Sequence, residues 1–142
     1  MCLIAVAWQA HPDYPLIVLA NRDEFHARPA APARFWEEAP QVLAGRDLSA
    51  GGTWLGVTRQ GRFAALTNVR EPGMPPRGRS RGLIVSTCLL GDASAEAYAT
   101  RVTAEGGEYS GFNLLASDGD SLWWTSNRGA GPRRLDPGVY LL

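Results

Sequence analysis

The chain has 142 residues, 45% of them apolar and 20% charged, with a formal net charge of zero. That is the composition and length of one globular domain, residues 1–142, and it excludes wholesale disorder. Neutrality removes the electrostatic basis for a nucleic-acid or anionic-membrane partner, and because all fourteen cations are arginine, lysine Schiff bases and Walker-type phosphate loops are excluded too.

In chain order, Cys2 to Trp8 reads as a short apolar strand. It is too short and lacks the cleavage pattern for a signal peptide. "QAHPDYP" supplies a turn, with Pro12, Asp13 and Pro15 as breakers. Leu16 to Ala20 is almost continuously apolar and predicts a strand covered on both faces, joined to the first as a hairpin. "HARPAAPARFWEEAPQ" reads as a Pro/Ala-rich loop. From Val42 come a short strand, a glycine-rich turn, a strand over Thr53 to Thr58, the tight turn "RQGR" and a strand over Arg62 to Val69.

"REPGMPPRGRSRG" is a loop, and "SRGLIVSTCLLG" predicts a helix capped by Ser80 and stopped by Gly91. "DASAEAYATRVTAEGG" predicts a second helix, opened by Asp92 or Ser94 and closed at Gly106 and Gly107. A strand, an Asp-Gly turn and a strand follow in "SGFNLLASDGDSLWWTSN", and "GVYLL" adds one more. Strands, then helices, then strands predict an α+β fold with mostly antiparallel pairing. Ending on an apolar strand predicts an unfinished sheet, with self-association through its edge.

No run of about eighteen apolar residues exists to span a bilayer. Cys2 and Cys88 are too far apart and too apolar in setting to form a disulfide framework, so a cytoplasmic location is expected. His11 and His26 are isolated, and no metal is expected.

Chemistry concentrates in a few places. Cys2 follows the initiator Met, whose removal would leave a thiol and an α-amine on one residue, a nucleophile beside its base; the bland alternative is a buried apolar cysteine. "NRDE", Asn21 to Glu24, ends the second strand on four polar groups. In extended chain Asn21 and Asp23 face one way and Arg22 and Glu24 the other, so one pair ends near Cys2 if the two strands are neighbours. A carboxylate there would hold the amine, and a solvated strand end is the alternative. "AGRDLSAGGTWLG" repeats an Arg–Asp pairing at Arg46 and Asp47 among glycines that permit close backbone approach. Asn68 ends an apolar strand as either an oxyanion donor or a turn residue. Arg70, Arg77, Arg79 and Arg81 would grip an anion or lie in a solvated loop.

"MCLI", "LANRDEFHARP", "LAGRDLSAGGTWLGVTRQGRFAALTNVRE", "SRGLIV" and "GFNLL", in this order along the whole chain, resemble the NRDE family, also called the transport and Golgi organisation protein 2 family. The resemblance implies an N-terminal-nucleophile-hydrolase fold, an αββα sandwich of antiparallel sheets. It also implies more sheet and helix beyond Leu142, so the domain is expected to be truncated at its C-terminus. Acylases of that fold cleave amides with an N-terminal cysteine. Cys2 matches the nucleophile and Asp23 the carboxylate on its amine, while the acylase arginine falls on Ala20, and Arg22 cannot take its place. Asn21, Arg22, Glu24, Arg46 and Asn68 are then the expected substrate contacts. Two function classes follow: a cysteine amidohydrolase with no cofactor, acting on a small amide, or a non-catalytic carrier with haem or an acyl-coenzyme A-like lipid as cargo.

Overall fold

The computed structural model describes residues 2–69, 71–73 and 78–142. Its first two strands form the expected hairpin. β1 (Leu3–Trp8) and β2 (Leu16–Asn21) pair antiparallel, with Leu3 opposite Asn21 and Trp8 opposite Leu16. The amide of Gln9 closes the turn on the Pro15 carbonyl at 2.7 Å. The last strand, β10 (Gly138–Leu141), pairs with the other side of β1, giving a three-stranded sheet in the order β10-β1-β2.

The other strands run as one antiparallel seven-stranded sheet in chain order: β3 (Ala30–Phe35), β4 (Val42–Asp47), β5 (Leu55–Thr58), β6 (Phe63–Asn68), β7 (Phe112–Ser117), β8 (Leu122–Ser126) and β9 (Arg133–Leu135). Between β6 and β7 lie α1 (Gly82–Leu90) and α2 (Ala95–Ala104).

Period-two alternation assigns the layers. Phe63 and Ala65 of β6 and Leu115 of β7 meet Ile4, Val6 and Trp8 of β1, forming a core between the sheets. The intervening Ala64, Leu66, Leu114 and Ala116 meet Ile84, Val85, Leu89, Tyr98 and Val102 of the helices. The result is three layers, helices on a large sheet on a small sheet, with the expected α+β antiparallel character. Burying a side chain such as Leu115 or Phe63 in these cores contributes about 1.5–3 kcal/mol each.

Four local expectations are corrected. The Pro/Ala stretch contains β3, an edge strand whose pairing with β4 shifts register between Ala31 and Arg34, and this irregularity accommodates Pro32. β9 was not anticipated, and at three residues it is too short for a periodic signal. Ser80 does not cap α1 with its side chain: Arg81 holds the cap position, and Ser80 offers its carbonyl to the Leu83 amide at 3.1 Å. β2 is covered on one face only, because Leu16 and Val18 pack inward while Leu19 is 72% exposed. Val139 and Leu141 of β10 extend that apolar outer face.

α2 begins as expected at Ser94, whose Oγ accepts from the Ala97 amide at 3.2 Å, with Asp118 adding a second acceptor for the Ala95 amide at 2.7 Å. Arg62 donates to the Cys88 carbonyl, which the last turn of α1 leaves over (3.1 Å), and to the Ala93 carbonyl in the link to α2 (2.7 Å).

Candidate functional site

Cys2 continues the inward alternation of Ile4, Val6 and Trp8, so its side chain belongs to the space between the sheets. It is half-buried at the mouth of that space. Its Sγ accepts a hydrogen bond from the Asp23 amide at 3.4 Å and lies 3.8 Å from the Asp23 carbonyl oxygen. The hairpin register causes this contact: with Leu3 opposite Asn21, the chain past β2 must run alongside residue 2.

The tetrapeptide keeps its alternation. Arg22 and Glu24 are half-buried, whereas Asn21 and Asp23 are exposed, Asn21 sharing the outer face with its partner Leu3. The half-buried pair starts a chain of charges. Arg22 lies 3.6 Å from Glu24, and Glu24 lies 3.8 Å from Arg28. Arg28 then places Nε and Nη2 on one oxygen of Asp47, at 3.0 and 2.7 Å. Asp47 also accepts from the amides of Ser49 (2.9 Å) and Ala50 (3.2 Å), holding the glycine turn. Burial opposes the charge on Asp47, but the Arg28 fork and the two amides outweigh it and hold the carboxyl below the usual carboxylate range.

The glycine turn positions α1 in its turn. Gly52 has φ +74°, and a Cβ there would stand 2.5 Å from the carbonyl carbon and oxygen of Gly82. The Thr53 amide donates to the Gly82 carbonyl at 3.1 Å. Arg81, immediately before this contact, donates from Nη1 to the Gly111 carbonyl at 2.8 Å. The Gly111 amide donates to Glu71 at 2.9 Å, and Arg128 Nε holds the other Glu71 oxygen at 2.8 Å. Asn127 secures this corner, accepting from the Phe112 amide at 2.9 Å and donating to the carbonyls of Gly106 (2.8 Å), Tyr109 (3.2 Å) and Ser110 (3.3 Å).

A cleft of about 340 Å³ opens between the sheets, lined by Asn113, Trp124, Arg133, Leu135 and Tyr140 to Leu142. Leu142 exchanges backbone hydrogen bonds with Ile4, two residues from Cys2 along β1. Asn113 Nδ2 donates to Thr67 Oγ1 at 3.2 Å, a polar pair on the strand faces that meet the small sheet. Asn68 has the parity of Ala64 and Leu66, which face the helices, and it is exposed. Arg46 also has helix-side parity; it pairs with Glu38 and stacks 4.0 Å over Trp36 at the β3–β4 edge.

Of the residues expected from the sequence, Cys2, Arg22 and Glu24 thus share the inward parity, Asp23 meets Cys2 through its backbone while it and Asn21 are exposed, and Arg46 and Asn68 point elsewhere. The arginine cluster divides. Arg79 pairs with Glu108 at 3.0 Å, Arg81 is half-buried and donates to the Gly111 carbonyl, and Arg70 and Arg77 lie outside the described residues. Sequence reasoning missed Arg28, Thr67 and Asn113 as site residues and passed over Asp47 in favour of its neighbour Arg46. Asp47 was legible as the inward-parity half of the repeated Arg–Asp pair, while Arg28 carried no signal beyond its place four residues after Glu24. Among the described residues no three acids, histidines or cysteines are grouped to hold a metal ion, and no helix is long and apolar enough to cross a membrane.

These features define a two-sheet α+β protein whose candidate site joins a cysteine at the second position to an Asn-Arg-Asp-Glu strand end. The sequence model of the family described as Transport and Golgi organisation 2 matches residues 1–142, and the chain belongs to that family. The Transport and Golgi organization protein 2 homologs of Bos taurus and Homo sapiens are 42% and 40% identical to it over 153 residues, covering 99% of this chain and 55% of each relative. The Drosophila melanogaster Transport and Golgi organization protein 2 is 33% identical over 128 residues, covering 82% of this chain and 45% of the relative. The chain therefore spans about half the length of these curated relatives.

Proposed function

We propose that the chain carries a thiol site for cleaving the carbon–nitrogen bond of a small amide, on a scaffold of the N-terminal-nucleophile type whose complete form is αββα. The observation that carries this reading is the 3.4 Å contact between Cys2 Sγ and the Asp23 amide at the mouth of the space between the sheets. With Met1 removed, the α-amine of Cys2 takes the thiol proton and Asp23 holds the resulting ammonium. The sulfur adds to the amide carbonyl, the C–N bond breaks, and the leaving amine departs with the proton. Water then hydrolyses the thioester and restores the thiol. Asn113, the amide donor lining the cleft, serves the oxyanion better than Asn68, which has helix-side parity.

The test is intact mass combined with a panel of chromogenic N-acyl amides. Expected are loss of Met1, an acyl adduct on Cys2, and no turnover in Cys2→Ala. Quantitative retention of Met1, or undiminished turnover in Cys2→Ala, overturns the reading.

A second reading, a carrier for haem or an acyl-coenzyme A-like lipid, is favoured by the cleft itself, where Trp124, Leu135 and Leu142 offer apolar walls and Arg133 a cation. Haemin titration followed by absorbance separates the two. A spectral change lost in Arg133→Ala and kept in Cys2→Ala supports the carrier, and no change at micromolar protein removes haem as cargo.

A further inference from the structure

β10 borders the small sheet, and among the described residues its outer edge pairs with no strand. Ile4 and Leu142 exchange both of their backbone hydrogen bonds, at 3.0 and 2.8 Å. Bonded pairs alternate with unbonded ones along an antiparallel ladder, so Ala5 with Leu141 and Ala7 with Val139 are the unbonded pairs. The N–H and C=O groups of Val139 and Leu141 therefore point away from β1, toward the free edge. Beneath that edge lies the cleft of about 340 Å³, floored by Trp124 of β8 and Leu135 of β9, an opening that the three-stranded sheet does not fill. Two other edges are guarded against pairing, β3 by Pro32 and its register shift, β9 by its three-residue length and two arginines. β10 reads Gly-Val-Tyr-Leu, with no charge and no proline. β2 is equally bare, but the cleft lies under β10.

The match to the Bos taurus and Homo sapiens homologs covers 99% of this chain but 55% of each relative, so these relatives carry nearly as much sequence again as this chain holds. We propose that the β10 edge and its cleft form a strand-acceptor site, which receives one extended segment from the part of the family's length that this chain does not span. The incoming strand bonds to the backbone of Val139 and Leu141, and every second side chain enters the cleft onto Trp124 and Leu135. Those side chains are apolar, with an acid or amide where Arg133 stacks 5.7 Å over the Trp124 ring. A second copy of this chain fits poorly. Joining β10 to β10 across a twofold axis would set each protomer's β8 and β9 in the other's way. The inference does not depend on the thiol reading, and it competes with the carrier reading for the same cleft.

The test co-produces the intact chain with a tagged second polypeptide, the part of the Bos taurus homolog outside the span that this chain matches. Native mass spectrometry should find a one-to-one complex. Residue-resolved amide exchange should slow by about tenfold or more at Val139 and Leu141 when the complex forms, and change less at Leu142, whose amide already donates to Ile4. Leu141→Pro removes one outward N–H and no bond to β1, and proline is tolerated at such an edge position. It should weaken the complex about tenfold while leaving the urea midpoint of the chain nearly unchanged.

The exchange measurement uses the unmodified chain and stands whether or not the variant folds. Failure to form the complex, unchanged exchange at Val139 and Leu141 within it, or undiminished affinity in folded Leu141→Pro overturns the inference. So does a homodimer of the chain alone that protects the same two amides, which would assign the edge to a second copy. The amidohydrolase reading fails on a different result, undiminished turnover in Cys2→Ala, so the two failures are distinguishable.

Discussion

Asp47 ties the opening tetrapeptide to the glycine turn, and replacing it tests whether that tie holds the site together. In Asp47→Ala, Arg28 loses bonds of 3.0 and 2.7 Å, and the amides of Ser49 and Ala50 lose bonds of 2.9 and 3.2 Å. Two charge-assisted bonds would be worth about 3–6 kcal/mol in full burial. The Arg28 side chain is 33% exposed, and Glu24 remains 3.8 Å away, so solvent and the second carboxylate reduce that to about 1 kcal/mol. Ser49 and Ala50 are exposed, and water replaces much of what their amides lose, leaving roughly 1 kcal/mol more.

The expected loss for Asp47→Ala is therefore about 2 kcal/mol, a fall in Tm of about 7 °C for a chain of this size. Asp47→Asn keeps an acceptor for the turn and should lose about half of that. A double-mutant cycle with Arg28→Ala, read by urea unfolding, should return a coupling of about 1 kcal/mol, and a coupling below about 0.3 kcal/mol would refute the ion-pair account. The pH dependence has a definite sign. Because the folded carboxyl is held below its unfolded value, its contribution is complete above about pH 4 and drains away as pH falls through the folded value. The stability gap between wild type and Asp47→Asn should close at acid pH.

Other perturbations probe the supports. Asn127→Ala strips one acceptor and three donor contacts from the 106–112 corner and should cost about 2–4 kcal/mol in chemical denaturation; a change below about 0.5 kcal/mol would show that water substitutes for the amide. Gly52→Ala forces a left-handed alanine against the Gly82 backbone and should cost about 2–4 kcal/mol, whereas the same change at Gly51, with open space around it, should carry only the backbone penalty of about 1–2 kcal/mol. Cys88 is fully buried, and its thiol is pushed up to about 11, chiefly by burial, so native protein at pH 8 should take up one equivalent of iodoacetamide and unfolded protein two. Labelling of Cys88 in the native state would contradict its placement in the core.

The hairpin that carries the site was legible because its alternation is local: the apolar run of β1, the turn and the polar end of β2 fix which residues stand beside Cys2. The two helices and the strands flanking them were legible for the same reason. β3 was hidden because alanine and proline carry little strand signal, and its membership in the sheet comes from pairing across to β4. Arg28 with Asp47, Asp118 with Ala95 and Asn113 with Thr67 join residues 19, 23 and 46 positions apart. No periodicity in one sequence announces such contacts. Asn68 and Arg46 drew attention by residue type, yet strand parity turns both toward the helices, and parity became decidable only once the partner layers were known.

Where Gly52 backs onto Gly82, two main chains touch with nothing between them. No residue larger than glycine can act as a shim at this joint, so the spacing between the start of α1 and the turn that Asp47 holds is set by the bare backbone itself.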